Sequence, residues 1–251
     1  MNTLFAHRGM SSLAPENTLA AFRLCHTHKV QWLECDVDIL GDDTIVISHD
    51  DTLDRCTNRS GSLYGLSQQD LANIDAGGWF SDAFAGEPIP TFRQFIELLN
   101  ELKLDANIEI KSCTAGWEKT LKLIEGVIEG LKLLDSDRKV IISSFNHIAL
   151  YEFKRRAPHY PTACLFTKET LSEDWESILQ ACQAEYIHPE NEGLSREQVA
   201  AFKAKGYKVN VYTVNSLLRA NQLFNWGVDG IFTDIAQTFP RSFLSATNYP
   251  R

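Results

Sequence analysis

Two short segments of this chain alternate charged and apolar residues, Leu33-Glu34-Cys35-Asp36-Val37-Asp38 and Asn107-Ile108-Glu109-Ile110-Lys111. A strand with that period turns its charges to one face, so carboxylates from both segments and one ammonium can converge. Buried carboxylates are costly unless they are paired or hold a metal, and a single lysine between two acidic strands leaves charge to be neutralised. A hard divalent cation bound by Glu34, Asp36 and Glu109 answers that need. The plainer reading, solvated charges on an open sheet face, is weakened by the company these residues keep. His7-Arg8 and His49-Asp50 also stand at the ends of short apolar runs.

Two imidazoles beside a carboxylate-held cation suit displacement at phosphorus. His7 and His49 are the candidates, one removing a proton from the attacking group and the other protonating the leaving alcohol. The cation would polarise a non-bridging phosphate oxygen, and Arg8 and Lys111 would stabilise the equatorial charge. Asp38 and Asp50 are placed to orient ligands or histidines from behind. Strand alternation turns Cys35 away from its acidic neighbours and into the core. His26, His28, His147 and His159 fall in helix-like or turn contexts and carry no functional reading.

The elements that must position these groups follow a regular order. Short apolar runs at Leu4–His7, Trp32–Asp38, Asn107–Lys111, Val140–Ser143, Thr162–Phe166, Glu185–His188, Lys208–Thr213 and Gly230–Phe232 read as strands. Ile45–Ser48 reads as a further strand, able to form a hairpin with Trp32–Asp38 through Gly41-Asp42-Asp43. Amphipathic stretches lie between them: one opened by Pro15 and running to Lys29, then Phe92–Leu102, Trp117–Leu131, Ile148–Arg156, Trp175–Cys182, Arg196–Lys205 and Ser216–Trp226. About eight strand–helix alternations in a chain of this length predict an α/β fold, a closed TIM (β/α)8 barrel, ahead of an open doubly wound sheet. No Gly-x-Gly-x-x-Gly follows the first strand, which counts against a dinucleotide site. One domain is expected over residues 1–251, with a small Gly- and Pro-rich insertion over residues 51–90, after the second strand and above one end of the barrel.

Composition narrows the function further. A formal net charge of -9 argues against nucleic acid as a partner, because that binding needs dense Lys and Arg. There is no secretory leader pattern at the amino terminus and no apolar run long enough for a membrane span. The six cysteines are scattered without Cys-x-x-Cys spacing, as expected of reduced thiols in a cytoplasmic protein.

Beyond the paired charges, a set of motifs resembles the glycerophosphodiester phosphodiesterase family, and the cytoplasmic bacterial type most. It comprises Ala6-His7-Arg8-Gly9, Ala14-Pro15-Glu16-Asn17-Thr18, Glu34-Cys35-Asp36-Val37, His49-Asp50-Asp51-Thr52-Leu53-Asp54-Arg55, Asp75-Ala76-Gly77, Gly86-Glu87-Pro88-Ile89-Pro90-Thr91 and Glu109-Ile110-Lys111. Ser143-Ser144-Phe145, Val211-Tyr212-Thr213-Val214-Asn215 and Gly227-Val228-Asp229-Gly230-Ile231-Phe232-Thr233-Asp234 extend it over nearly the whole chain. The resemblance implies hydrolysis of deacylated phospholipid headgroup diesters to sn-glycerol 3-phosphate and an alcohol. It matches His7 and His49 to the catalytic pair, Glu34, Asp36 and Glu109 to the ligands of a divalent cation (Mg²⁺, with Ca²⁺ or Mn²⁺ as alternatives), and Arg8 and Lys111 to phosphate contacts. Phe145, Tyr212 and His188, at the ends of later strands, are further substrate-binding candidates; many family members carry tryptophan where this chain has Tyr212. Two rival readings remain open at this stage. One is a lysophospholipase D acting on lipid substrates, for which Trp79, Phe80 and Phe84 would supply an apolar lip but no basic helix face supplies a membrane anchor. The other is a non-catalytic barrel that binds phosphodiesters, which a missing histidine or carboxylate would favour; none is missing.

Overall fold

In the computed structural model, which describes residues 2–240, the strands are Thr3–Ala6 (β1), Trp32–Ile39 (β2), Ile45–Ile47 (β3), Asp105–Ile110 (β4), Val140–Ser144 (β5), Thr162–Phe166 (β6), Tyr186–Pro189 (β7), Lys208–Val211 (β8) and Gly230–Thr233 (β9). The domain expected over 1–251 thus runs past the described residues at both ends. All but β3 lie side by side in parallel in the order β1-β9-β8-β7-β6-β5-β4-β2, and pairing of β1 with β2 closes the ring. The fold is therefore a closed TIM barrel, not an open sheet. β3 stands outside the ring as the antiparallel hairpin partner of β2, with Val37 opposite Ile47 and Ile39 opposite Ile45.

The helices are Leu19–Thr27 (α1), Phe92–Leu102 (α2), Trp117–Leu131 (α3), His147–Arg156 (α4), Trp175–Ala181 (α5), Arg196–Ala204 (α6) and Leu217–Asn225 (α7). Their sequences explain their ends. α2 starts at a capping box formed by Thr91 and Gln94 and buries Phe92, Phe95, Ile96, Leu98 and Leu99 along one stripe, the spacing of a helix packed on a sheet. α1 begins four residues later than the position of Pro15 predicts. Thr18 is its N-cap, while Pro15-Glu16-Asn17 forms a tight loop in which Asn17 takes a positive φ of 57°. That loop has another task, described below.

Alternation along the strands separates two environments. Leu33, Cys35 and Val37 of β2 and Ile108 and Ile110 of β4 point outward into the core beneath the helices. Inside the ring, Phe5 and Phe232 stack with centroids 4.5 Å apart and, with Ile141 and Ala163, form a small inner core. The chain from 51 to 90 is reached through the hairpin, and so follows the second barrel strand. It is built from three short 3₁₀ turns around its own cluster of Leu53, Leu63, Leu71, Ile74, Ala76 and Ile89, packed on Leu40 and Val46. Its Phe80 lies edge to face against both Trp79 and Phe84. Among the described residues no helix is long and apolar enough to cross a membrane.

Candidate active site

Active sites of parallel barrels form at the carboxyl ends of the strands. β2 turns Glu34 and Asp36 inward, β4 turns Glu109 inward, and the register places Asp36 beside Glu109. The three carboxylates are buried, and one oxygen of each lies within 4.8 Å of the others. Their neighbours hold them in place. The backbone N–H of Arg8 donates to Glu34 Oε2 at 2.8 Å, Asn17 Nδ2 donates to Asp36 Oδ2 at 2.8 Å, and Lys111 Nζ lies 2.7 Å from Glu109 Oε1 and 3.4 Å from Asp36 Oδ1. The Arg8 bond depends on a reversal of the chain just after β1, where Arg8 and Gly9 both take positive φ. A Cβ on Gly9 would meet α1 at 2.9 Å, so glycine is required there.

The electrostatics show how the site is short of positive charge. Burial, reinforced by Asp36, pushes the Glu34 carboxyl up to about 8. Burial also raises Glu109 in spite of Lys111. For Asp36 the cost of burial is outweighed by Lys111 and Arg8, which hold its carboxyl below the ordinary range. Two of three clustered carboxylates thus resist ionising, as expected of like charges sharing one buried place. An all-oxygen set of this kind fits a divalent cation such as Mg²⁺, Mn²⁺ or Ca²⁺.

His7 follows β1 and His49 follows β3, and each is anchored in the same way. His7 Nδ1 lies 2.7 Å from Asp234 Oδ1, and Asp234 in turn accepts from Asn215 Nδ2 at 2.6 Å. His49 Nδ1 lies 2.6 Å from Asp50 Oδ1, and Asp50 accepts from Arg55 Nε at 2.7 Å. With each Nδ1 engaged by a carboxylate, each Nε2 is left to exchange a proton. Burial disfavours a charged His7, but the hydrogen bond to Asp234 and the charge of Glu34 outweigh it and raise its pKa. Glu16 joins the two sides by accepting from Arg8 at 2.8 Å and from Arg55 at 2.7 Å. The loop before α1 therefore serves to deliver Glu16 and Asn17.

A cavity of about 180 Å³ opens among these groups. His7, Arg8, Glu34, His49 and Glu109 line one side, with Asn107 and Ser143 deeper in; Phe145, Leu165, Tyr212, Thr213 and Phe232 line the other. Phe145 and Tyr212 meet edge to face with centroids 5.7 Å apart, and the Tyr212 hydroxyl donates to the Phe166 carbonyl at 2.9 Å. Asp36 and Lys111 are not part of this lining. Lys111, for which the sequence predicts a phosphate contact, is ion-paired with Glu109 and Asp36. His188 is the one candidate placed elsewhere: it is fully buried inside the ring, with Nε2 3.0 Å from Asn210 Nδ2 and its ring 5.1 Å from that of Phe232. It faces inward, but Phe232 packs against it and burial pushes its imidazole down to about 3, so it is a neutral packing residue and not a lining one. Asp234, Asn17, Glu16 and Arg55 are missing from the residue-by-residue reading of the sequence. Asp234 carried a signal, since it follows β9 as His7 follows β1.

Three buried carboxylates that could hold a cation, between two imidazoles held by carboxylates, give the barrel mouth the groups that proton transfer beside a metal would need. The sequence profile of the Glycerophosphoryl diester phosphodiesterase family matches residues 7–238. A glycerophosphodiester phosphodiesterase from Caldanaerobacter subterraneus subsp. tengcongensis is 36% identical over 239 residues, 95% of this chain and 96% of that one. A second, from Bacillus altitudinis, is 30% identical over 93% of this chain and 95% of its own length. Among solved structures, an Oleispira antarctica phosphodiesterase in complex with the product sn-glycerol-3-phosphate superposes with a TM-score of 0.92, at 32% identity and 98% coverage of both chains. The chain belongs to the glycerophosphoryl diester phosphodiesterase family.

Proposed function

We propose that this protein hydrolyses glycerophosphodiesters, the deacylated headgroups of phospholipids, to sn-glycerol 3-phosphate and an alcohol. The observation that carries this reading is the pair of Asp-anchored histidines on either side of the Glu34, Asp36 and Glu109 cluster. The family match and the product-bound relative supply the substrate class. A divalent cation held by the three carboxylates, Mg²⁺ by preference, would contribute Lewis-acid polarisation of a phosphate oxygen. The rest falls to the side chains. Arg8 would draw the phosphate toward the carboxylate side of the cavity and stabilise its equatorial oxygens. One of His7 and His49 would take the proton of the attacking oxygen through Nε2 while the other returns a proton to the leaving alcohol. Asp234 and Asp50 hold the imidazoles in the tautomer this exchange needs, and Lys111 helps keep Asp36 ionised and offsets part of the cost of burying Glu109.

A lysophospholipase D activity and a non-catalytic binding role are supported less well. Phe80 packs edge to face on both Trp79 and Phe84, which leaves Trp79 as the one exposed ring of the three, a small apolar surface for a lipid, and every residue the hydrolytic chemistry requires is present. We further infer a single domain with the 51–90 segment as its roof, and a cytoplasmic setting, for which the six free cysteines speak. The test is an assay coupled to released glycerol 3-phosphate, using glycerophosphocholine, glycerophosphoethanolamine and glycerophosphoglycerol, with and without chelator. All three diesters are expected to react with kcat/KM within about two orders of magnitude; no release from any of them would refute the reading.

A further inference from the structure

Below the carboxylates lies a polar corner that the proton transfers do not use. Asn107 precedes Glu109 by two residues on β4 and so shares its inward face, and Ser143 on β5 is in register with Glu109. Asn107 Nδ2 donates to Ser143 Oγ at 2.9 Å. Both residues line the cavity, with exposures of only 2% and 0%. Among the described residues, the other polar atom of the Asn107 amide, Oδ1, is buried without a hydrogen-bond partner, and the hydroxyl proton of Ser143 has no acceptor. Buried polar groups in folded proteins are almost always satisfied by protein or water, so an unmatched acceptor beside an unmatched donor, both facing a cavity, marks a place that a ligand can complete in exchange for water.

The chemistry of that ligand follows from the two atoms. A phosphate oxygen cannot donate to Oδ1. A quaternary ammonium neither donates nor accepts, and a primary ammonium cannot accept from Ser143. Leu165 and Phe232, which line the same cavity, offer no polar side-chain atom. An alcohol hydroxyl both donates and accepts. We propose that Asn107 and Ser143 form the subsite that reads a hydroxyl of the glycerol half, so that the diester enters glycerol first with its headgroup toward the 51–90 segment. This inference rests on the glycerophosphodiester reading and assigns these two residues a role in specificity, not in proton transfer.

The test uses the cation-loaded enzyme and three diesters, glycerophosphocholine and its two monodeoxy analogues built on 1,2-propanediol and 1,3-propanediol, each followed by released choline. A site made to bond a hydroxyl rejects the analogue that lacks it. The native enzyme should therefore favour the parent over at least one analogue by on the order of 10²-fold in kcat/KM. Asn107→Leu, similar in size and without polar atoms, should bring the parent down to the level of that analogue. It should leave the analogue's own rate and the Mg²⁺ affinity, measured by calorimetry, within about threefold. Ser143→Ala should show the same pattern more weakly, and it decides the matter if Asn107→Leu does not fold. Equal losses on all three diesters, weakened Mg²⁺ binding, or discrimination that survives both substitutions would overturn the assignment. If the native enzyme cleaves none of the three, the function proposed above fails first and this inference with it. If it cleaves all three alike, only the hydroxyl subsite fails.

Discussion

Around the ring, β1, β2 and β4 bring His7, Glu34, Asp36 and Glu109 to the mouth, whereas the strands from β5 onward bring Phe145, Leu165, Tyr212 and Phe232. The charged side is cross-linked: Arg8, Glu16, Arg55, Asp50 and His49 form one continuous path of hydrogen bonds. The apolar side has few such ties, the Tyr212 hydroxyl bond to Phe166 being one. Buried charges must each be given a partner at fixed distance, and that precision supplies chemistry. Apolar walls need only shape, and shape supplies fit. Asp234 crosses the divide, since it comes from β9 yet serves His7.

If that division is right, insults to the charged side should reduce turnover and insults to the apolar side should weaken binding. The largest effect should come from chelation, which is expected to abolish turnover, with Mg²⁺ restoring it; full activity in metal-stripped protein would remove the reason for the carboxylate cluster. Next, His7→Ala and His49→Ala should each lower kcat by on the order of 10²–10⁴-fold, the range of general acid–base groups, with little change in Tm. Asp234→Asn removes the negative charge that anchors His7 and should cost roughly 10- to 100-fold in kcat, as losses of orienting partners do. A variant as slow as His7→Ala would show that Asp234 does more than orient.

Phe145→Ala tests the other wall and should raise KM by roughly tenfold, the size of a modest pocket contact, while kcat stays within about threefold. A fall in kcat with KM unchanged would erase the division between the two sides. The smallest effect concerns pH. The Glu34 carboxyl stands at about 8 in the folded, cation-free protein against an ordinary 4.5. A raised folded value means that the native state keeps a proton the unfolded chain has released. The stability it contributes is therefore full below pH 4.5 and lost as pH rises through 8. A bound cation replaces that proton, so the Tm gap between Mg²⁺-loaded and chelated protein should widen by a few degrees across this window. A constant gap would mean that Glu34 does not contribute as a ligand.

The strand order and the core of the site were legible because their signals are local. Glu34-x-Asp36 and Glu109-x-Lys111 declare their common face by period alone, and His7 and His49 declare theirs by ending apolar runs. Helix boundaries were readable to within a residue where a cap marked them, as at Thr91. Pro15 misled because a proline that fixes φ at a helix start looks the same when it shapes a loop, and here Asn17 is needed to hold Asp36. His188 misled for a related reason. Period separates the inner from the outer face of a strand but not the mouth of a barrel from its packed interior, and the difference lies in Phe232, which comes from another strand.

What the sequence determined by itself, then, is which residues could carry charge to a common mouth and which fold would bring them there. The tertiary fold, ring and roofing segment together, decided the rest. It brought Asp234 to His7 across 227 positions and Arg55 to Glu16 across 39, and it left Asn107 with an unmatched oxygen over a cavity walled from the far side. These are contacts between side chains distant in the chain, and no local period encodes them, because their partners are set by strand register and by the packing of the segment above the barrel.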